Sequence, residues 1–281
     1  MTTAARDLSN FDGQPISLYE FVRSTTPTIT GTPYTTYYRY TNADQDIMYG
    51  GNTYAAIAIS DDGIRQSGDE VSDQLSIRLP ADLYVPQLFA IAPPDDPIGL
   101  SIRRMHYGET DAFLSWVGTV GLAKRESDLA SVLVCHTASA RLNRGGLRMT
   151  WQRNCPHALY DSQCKVDPGG FVVVGTIGAI AGLTIAATGF DLVGNGFFTG
   201  GWVEKVMPDG HVLRRGITGH FETAVALLGS AHGFEGGDVI QGFAGCDRSS
   251  AMCDIQFSNL ANFGGHPYLA GKSPFDGDPV F

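Results

Sequence analysis

Basic residues are scarce in this chain, and charge of either sign is low. Charged side chains make up 17% of the 281 residues, and 19 Lys and Arg stand against 29 Asp and Glu, for a formal charge of −10 at pH 7. Such a balance repels a polyphosphate backbone, because binding to nucleic acid requires neutralising Lys and Arg. We therefore expect no nucleic-acid partner.

Long hydrophobic runs are also missing. No stretch approaches the roughly 20 apolar residues that span a bilayer, and Met1–Leu8 contains no apolar segment of the kind that begins a secretory signal. We expect no membrane span and synthesis in a reducing cytoplasm. In that compartment cysteines are more often thiols or metal ligands than disulfides.

What the chain has in quantity is glycine, together with β-branched and aromatic residues. Its 35 Gly and 14 Pro imply many turns, and 43% hydrophobic residues exclude a disordered protein. Short runs such as Tyr34–Thr41 are rich in strand formers, Gln74–Leu79 alternates apolar with polar residues, and Met207–Gly210 is a turn between two strand-like runs. The pattern predicts an all-β protein, mainly antiparallel barrels or sandwiches, with few short helices.

The length and a shift in composition predict two domains. Domains commonly run to about 100 to 150 residues, and after residue 150 small and β-branched residues dominate. We place a β-rich N-terminal domain at residues 1–150 and a second β domain at 151–281. One short helix is expected within Asp82–Pro94, and the run Phe221–Leu228 fits either a helix or a strand, with a strand suiting its surroundings.

The five cysteines separate into two pairs and one remainder. Eight residues separate Cys155 from Cys164, and six separate Cys246 from Cys253. Cys135 lies in a short apolar strand-like run, where a free cysteine behaves as a small buried hydrophobe. Each pair can lie on one loop whose ends converge, so two loops offer four thiolates.

Four thiolates complete a tetrahedral zinc site or bind the corners of a 4Fe-4S cubane. Structural zinc prefers two to four residues between paired ligands, and the wider gaps here favour an iron-sulfur cluster modestly. Leu159, Tyr160, Phe243 and Phe257 are apolar neighbours that would shield a cluster, and amides around Gly245 would donate to its sulfurs. Zinc and disulfides stay open as alternatives.

Other sites are weaker. Asn42-Ala-Asp44-Gln-Asp46 resembles the start of a calcium loop but lacks the glycine and the glutamate that complete one, so a polar turn is the better interpretation. Cys155 and His157 would point apart in a strand, which disfavours a cysteine nucleophile beside its base. A G-x-S-x-G elbow is absent.

Five segments carry a family resemblance. They are Asn154–Cys164, Phe198–Trp202, Gly245–Arg248, Met252–Phe257 and Asn262–Pro267. In this order they resemble the tail hub or tail-tip proteins of long-tailed phages and gene transfer agents, a phage-conserved family that includes the lambda tail-tip L protein. The hairpin-rich N-terminal half is similar to the family's hub domain by pattern alone. His266 departs from the aromatic residue that the family often has before the proline.

The resemblance implies a structural protein rather than an enzyme. It implies a 4Fe-4S cluster, with zinc as the alternative, on Cys155, Cys164, Cys246 and Cys253, and no catalytic residue. It also implies a homotrimer in the virion tail, assembled in the bacterial host cytoplasm, with a distal tail protein and a central fibre or receptor-binding protein as partners. The alternatives are an iron-sulfur redox enzyme and a tail-associated peptidase with Cys155 as nucleophile. Residues 262–267 are expected to pack close to the thiols and to lead the C-terminus toward a neighbouring tail subunit.

Overall fold

The fold is built almost entirely from β-strands, as the composition predicts. A computed structural model describes residues 6, 9, 13–64, 74–90, 94–141 and 150–269. Within these residues the α-helices are short: α1 is Tyr84–Gln87 and α2 is Ser250–Ile255. Short 3₁₀ turns occupy Ala138–Arg141, Pro168–Phe171, Phe190–Leu192 and Leu260–Asn262.

The chain forms two compact units. The first comprises Met1–Thr26 and Thr32–Arg144, and the second comprises Pro27–Gly31 and Gly145–Phe281. These units are defined by their internal contacts, and the domain boundary drawn near residue 150 from composition stays a prediction. None of the helices within the described residues is long and apolar enough to cross a membrane.

The first unit is a single nine-stranded sheet, ordered β3-β4-β2-β1-β7-β8-β9-β6-β5. Its strands are β1 Pro15–Thr25, β2 Tyr34–Thr41, β3 Ile47–Tyr49, β4 Asn52–Ala56, β5 Ser60–Asp61, β6 Leu75–Pro80, β7 Ile98–His106, β8 Phe113–Arg125 and β9 Ala130–Thr137. Neighbouring strands run antiparallel except β2 and β4, which are parallel.

Alternation decides which side chains of this sheet form its core. In β6, Leu75, Ile77 and Leu79 are each at most 1% exposed, while Arg78 between two of them faces solvent. Cys135 on the adjacent β9 is fully buried in the same cluster. Burial raises the pKa of its thiol to about 12, so it stays protonated and acts as core packing, as predicted.

The second unit is a closed six-stranded barrel in the order β10-β11-β14-β13-β12-β15. Its strands are β10 Val172–Ala181, β11 Thr184–Thr188, β12 Trp202–Val206, β13 Val212–Phe221, β14 Ala224–Leu227 and β15 Val239–Phe243. The barrel interior holds Ile177, Ile185, Phe190, Phe198, Val203, Ile217, Val225 and Ile240 among its buried residues. Closure removes the free edges that an open sheet would expose.

A short segment from the β1–β2 connection belongs to this second unit. Glu204 on β12 is only 1% exposed, and its carboxylate accepts hydrogen bonds from the Thr28 backbone N–H at 2.9 Å and the Thr28 hydroxyl at 2.7 Å. Arg214 on β13 forms an ion pair with the same carboxylate at 2.9 Å. A buried carboxylate with several donors is satisfied, so it holds Thr28 against the barrel wall.

Three local secondary-structure predictions agree with the structure to different degrees. The turn at Met207–Gly210 joins β12 and β13 as an antiparallel hairpin, which confirms the prediction. The helix expected within Asp82–Pro94 is present but only as α1, and residues 91–93 lie outside the described residues. The run Phe221–Leu228 is strand, broken by a turn at Glu222, whose φ is 52°.

Candidate functional site: a four-thiol cavity

The four paired cysteines line one cavity in the second unit. The cavity has a volume of about 190 Å³, far above the roughly 10–15 Å³ that a single water needs. It is lined by Cys155, Cys164, Cys246 and Cys253. All five cysteines of the chain are free thiols. The structure therefore brings together the residues that the sequence proposed as a site.

The first pair lies on a loop shaped by Asp161. This carboxylate accepts the backbone N–H groups of Ala158, Gln163 and Cys164, at 3.0, 2.9 and 2.6 Å. The hydrogen bonds hold the pKa of Asp161 below its usual value. Tyr160 and Lys165 on this loop have positive φ angles of 67° and 60°. Cys155 and Cys164 both line the cavity.

The second pair lies after the last strand of the barrel, one cysteine before α2 and one within it. Cys246 follows β15, and Cys253 lies within α2. The helix begins after its N-cap Ser249, whose hydroxyl accepts a hydrogen bond from the Met252 N–H at 3.1 Å. The Cys155 N–H donates to the Arg248 carbonyl at 2.8 Å. This bond ties the two cysteine loops together directly.

Three of the four sulfurs receive N–H donors. Arg248 N–H donates to Cys246 Sγ at 3.3 Å, Gly264 N–H donates to Cys155 Sγ at 3.4 Å, and Asn259 Nδ2 lies 3.8 Å from Cys164 Sγ. The Gly245 amide, expected among these donors, instead donates to the Phe197 carbonyl at 2.9 Å. N–H donors of this kind stabilise negative charge on sulfur.

The hydrogen bonds of Asn259 fix the orientation of its side-chain amide. Its Nδ2 donates to the Cys164 carbonyl at 2.6 Å, and only the NH₂ end of an amide can face a carbonyl oxygen. Its Oδ1 accepts a hydrogen bond from Asn262 Nδ2 at 2.6 Å. Asn262 therefore positions the Asn259 amide against the first cysteine loop.

The segment after α2 covers the thiols, as the sequence predicts for residues 262–267. A Cβ on Gly264 would lie 2.2 Å from His157 Nε2, and one on Gly265 would lie 2.5 Å from the Arg153 carbonyl oxygen. The His266 N–H donates to the Gln152 carbonyl at 2.9 Å. Only glycine allows this close an approach, so the Gly-Gly pair is a packing requirement. Residues 270–281, expected to lead toward a neighbouring subunit, lie outside the described residues.

Apolar side chains form part of the cavity lining. Leu159 and Phe257 line it, as predicted, whereas Tyr160 and Phe243, expected beside them, do not. Tyr160 packs in the adjoining cluster with Val166 and Ala244. The Tyr160 hydroxyl donates to the Ala244 carbonyl at 3.3 Å. Burial, followed by the nearby Cys164 and Cys246 thiols, raises the pKa of Tyr160.

Burial also raises the pKa values of the Cys246 and Cys253 thiols, and repulsion among the cysteines adds to the increase. Four thiolates this close together need a positive group between them, because like charges oppose one another's ionisation. Across the described ranges, no group of three or more His, Cys, Asp or Glu side chains is placed to hold a metal ion. The site is thus a set of four thiols around a cavity rather than a preformed single-ion cage.

Sequence reasoning gave no individual role at the site to three contributors: Trp202, Asn259 and Gly264. Trp202 lines the cavity from β12, and its ring lies between Phe243 and Tyr160. Trp202, Asn259 and Gly264 lie in or near the segments that carry the family resemblance. No local sequence spacing links any of them to a cysteine. His157 also lines the cavity, and its ring lies against Gly264.

Two known families match this chain. Residues 32–167 match the family described as "Baseplate hub protein, N-terminal attachment domain", and residues 196–273 match "Phage conserved hypothetical protein BR0599". The first match includes Cys155 and Cys164, and the second includes Cys246 and Cys253. The cavity therefore draws its thiols from both matched regions.

One relative and one solved structure are also similar to this chain. A protein of Xylella fastidiosa (strain 9a5c), described as an uncharacterized protein, is 29% identical over 194 residues, which cover 63% of this chain and 38% of that protein. The chain thus spans well under half the length of this relative. A solved chain described as "Virion of native gene transfer agent (GTA) particle" superposes with a TM-score of 0.77 at 15% identity, covering 100% of this chain and 99% of that one. At this identity, the superposition establishes a shared fold.

Proposed function

We infer that this chain, which belongs to the tail hub and tail-tip family of phages and gene transfer agents, is a structural component of a virion baseplate hub. The observation that carries this inference is the pair of family matches in chain order, over residues 32–167 and 196–273. The full-length superposition on a chain of a gene transfer agent particle supports it.

Within the particle, we place the chain at the distal end of the tail tube. The family that matches the first region is described as an attachment domain, which supports assigning this region to the junction with the tail. The protein would join the tube to the receptor-binding or cell-piercing apparatus, with a distal tail protein and a central fibre as neighbours. A homotrimer around the tail axis closes by rotation through heterologous contacts and leaves no open ends.

Loss of the gene tests this placement. We expect a producer strain lacking it to assemble no complete tails, and a plasmid copy to restore them, as counted by electron microscopy of purified particles. Mass spectrometry of the restored particles should detect the chain. Normal, infective particles without the gene would overturn the hub assignment.

For the cavity, we propose a 4Fe-4S cluster held by Cys155, Cys164, Cys246 and Cys253. A cubane presents four irons at separate corners, so its thiolates stand farther apart than those around one ion. This spacing is compatible with four thiols that line a cavity without forming a single-ion cage. Donors to three sulfurs and apolar lining residues such as Leu159 and Phe257 are surroundings that such clusters have.

The cluster's role in this proposal is structural. When bound, it supplies iron–sulfur bonds that cross-link the two cysteine loops. Residues of the chain hold the rest of the site in place. Asp161 shapes the first cysteine loop, and the Arg248 carbonyl joins the two loops by accepting the Cys155 N–H. Asn259 and Gly264 cover the thiols. Stabilisation of this kind adds the free energy of metal binding to that of folding.

Metal and sulfide analysis of anaerobically purified protein tests the cofactor. We expect a brown protein with about four irons and four acid-labile sulfides per chain, the stoichiometry of the cubane. A colourless protein with one zinc per chain would overturn the cluster and leave the hub assignment intact. Protein with neither metal, after reconstitution with ferrous iron and sulfide, would overturn both metal readings of the cavity.

A further inference from the structure

Residues 263–269 fold back onto the first cysteine loop. The Gly264 N–H donates to Cys155 Sγ at 3.4 Å, and a Cβ on Gly264 would lie 2.2 Å from His157 Nε2. Cys155 and His157 both line the four-thiol cavity. We call this segment the cover, because it is packed against two residues of the cavity lining.

A ring stack and two hydrogen bonds hold the cover to the chain that precedes the first cysteine loop. The Trp151 ring stacks on His266, with centroids 4.4 Å apart and planes 13° apart. The His266 N–H donates to the Gln152 carbonyl at 2.9 Å, and Arg153 Nε donates to the Leu269 carbonyl at 2.7 Å. Hydrogen bonds at a surface replace bonds to water and contribute little net free energy, whereas stacked rings also bury apolar area. The Trp151–His266 stack is therefore the latch of the cover.

No residue of the cover is buried. Residues 263–265 are partly exposed, and residues 266–269 are exposed. Trp151 is itself 78% exposed, so the latch lies at the surface. Segments with few buried apolar contacts open at much lower free energy than the core of their domain. We therefore expect the cover to open while the barrel stays folded.

We propose that the cover opens and closes over Cys155, that the Trp151–His266 stack is its latch, and that this opening lets reagents and metal ions in solution reach the Cys155 thiol. The inference goes beyond the proposed cofactor and does not depend on it. In the closed state Cys155 is 9% exposed, and the Gly264 N–H contacts its sulfur. Opening removes this contact and leaves the hydrogen bond from the Cys155 N–H to the Arg248 carbonyl, so the thiol is uncovered without release of its loop.

Hydrogen–deuterium exchange of the full chain, as purified, measures this opening. His266→Ala removes one ring of the latch and keeps the backbone N–H groups. The amides of residues 264, 266 and 269 donate hydrogen bonds in the closed cover. We expect them to exchange about tenfold faster in His266→Ala than in wild type, since an aromatic pair contributes on this order to a folding equilibrium. Amides of the barrel strand β13 should keep their wild-type rates, and unchanged exchange in the cover would overturn the proposal.

Alkylation of Cys155 by N-ethylmaleimide, read by peptide mass spectrometry, reports the same opening at the thiol. The full chain is first stripped of any bound metal, and the barrel amides of the same sample report that it stays folded. Where stripping unfolds the chain, exchange of the purified protein decides alone. The labelling rate is the open fraction multiplied by the rate in the open state, so we expect Cys155 to react about tenfold faster in His266→Ala. Equal rates in the two proteins would show that the cover does not control access.

Two matched variants separate the latch from a general loosening of the segment. Tyr268→Ala removes a ring that is 98% exposed from the same cover, and His266→Phe keeps a ring that can stack on Trp151. We expect the cover amides of both to exchange within about twofold of wild type, as surface substitutions usually do. A cover that opens equally in Tyr268→Ala and His266→Ala would overturn the latch.

Trp151→Ala removes the other ring of the stack. We expect it to match His266→Ala, and the double variant to open no further than either single one, because both changes remove the same contact. Additive effects in the double variant would give the two rings independent roles and overturn the stack as the latch.

Discussion

Cys246→Ala is expected to abolish iron binding and to lower the melting temperature of the second unit by roughly 15 °C. The alanine removes one of four ligands, so the iron–sulfur bonds that would cross-link the two cysteine loops are lost together with the free energy that metal binding adds to folding. Loss of a metal site is among the few single changes that cost more than about 4 kcal/mol. At roughly 4 °C per kcal/mol for a domain of this size, this corresponds to the stated drop.

Differential scanning calorimetry with iron analysis measures this effect, and Cys135→Ala is its control. Cys135 is a fully buried thiol of the nine-stranded sheet, and it packs in that sheet's own core. We expect Cys135→Ala to keep its full iron content and to cost about 1 kcal/mol, typical of a small core truncation. Full iron content and an unchanged transition in Cys246→Ala would contradict a structural cluster.

The strands were largely predictable because local alternation reports burial directly. Leu75, Ile77 and Leu79 show this in β6, where apolar residues at every second position all face the core. Strand order was not predictable in the same way. In the folded sheet β1 pairs with β7, while β3 to β6, which lie between them in the chain, occupy other positions in the sheet. Nothing in the sequence near β1 indicates this pairing.

In the candidate site, too, some residues were predictable from the sequence and others were not. Residue type alone singled out the thiols, since few side chains other than cysteine bind iron or zinc so strongly. The residues that donate hydrogen bonds around the thiols come from distant segments of the chain. Gly264 is 109 positions from Cys155, and Asn259 is 95 positions from Cys164. Trp202 could be quoted as part of a motif, but only the folded barrel reveals that its N–H is buried without an acceptor.

Gly245→Ala is expected to destabilise the second unit by about 3 kcal/mol and to displace Cys246, its neighbour in sequence. An alanine Cβ at this position would lie 1.9 Å from the Thr199 carbonyl oxygen and 2.5 Å from the Gly201 nitrogen. Both atoms are backbone, so no side chain can rotate away, and forced overpacking typically costs 1–3 kcal/mol or more. The connection into β12 that carries Trp202 must move, and the cavity deforms from two sides.

Chemical denaturation and iron analysis of Gly245→Ala check this result against Gly236→Ala. Gly236 belongs to the same unit, and a Cβ there would meet nothing within 4 Å. We expect Gly236→Ala to lie within about 0.5 kcal/mol of wild type, as surface substitutions usually do, and to bind iron fully. Since the two variants add the same methyl group, a shared loss of stability would point to glycine's backbone freedom. Loss of stability and iron in Gly245→Ala alone would locate the constraint in the close approach of Gly245 to the Thr199–Gly201 backbone, which holds Cys246 and Trp202 at the same cavity.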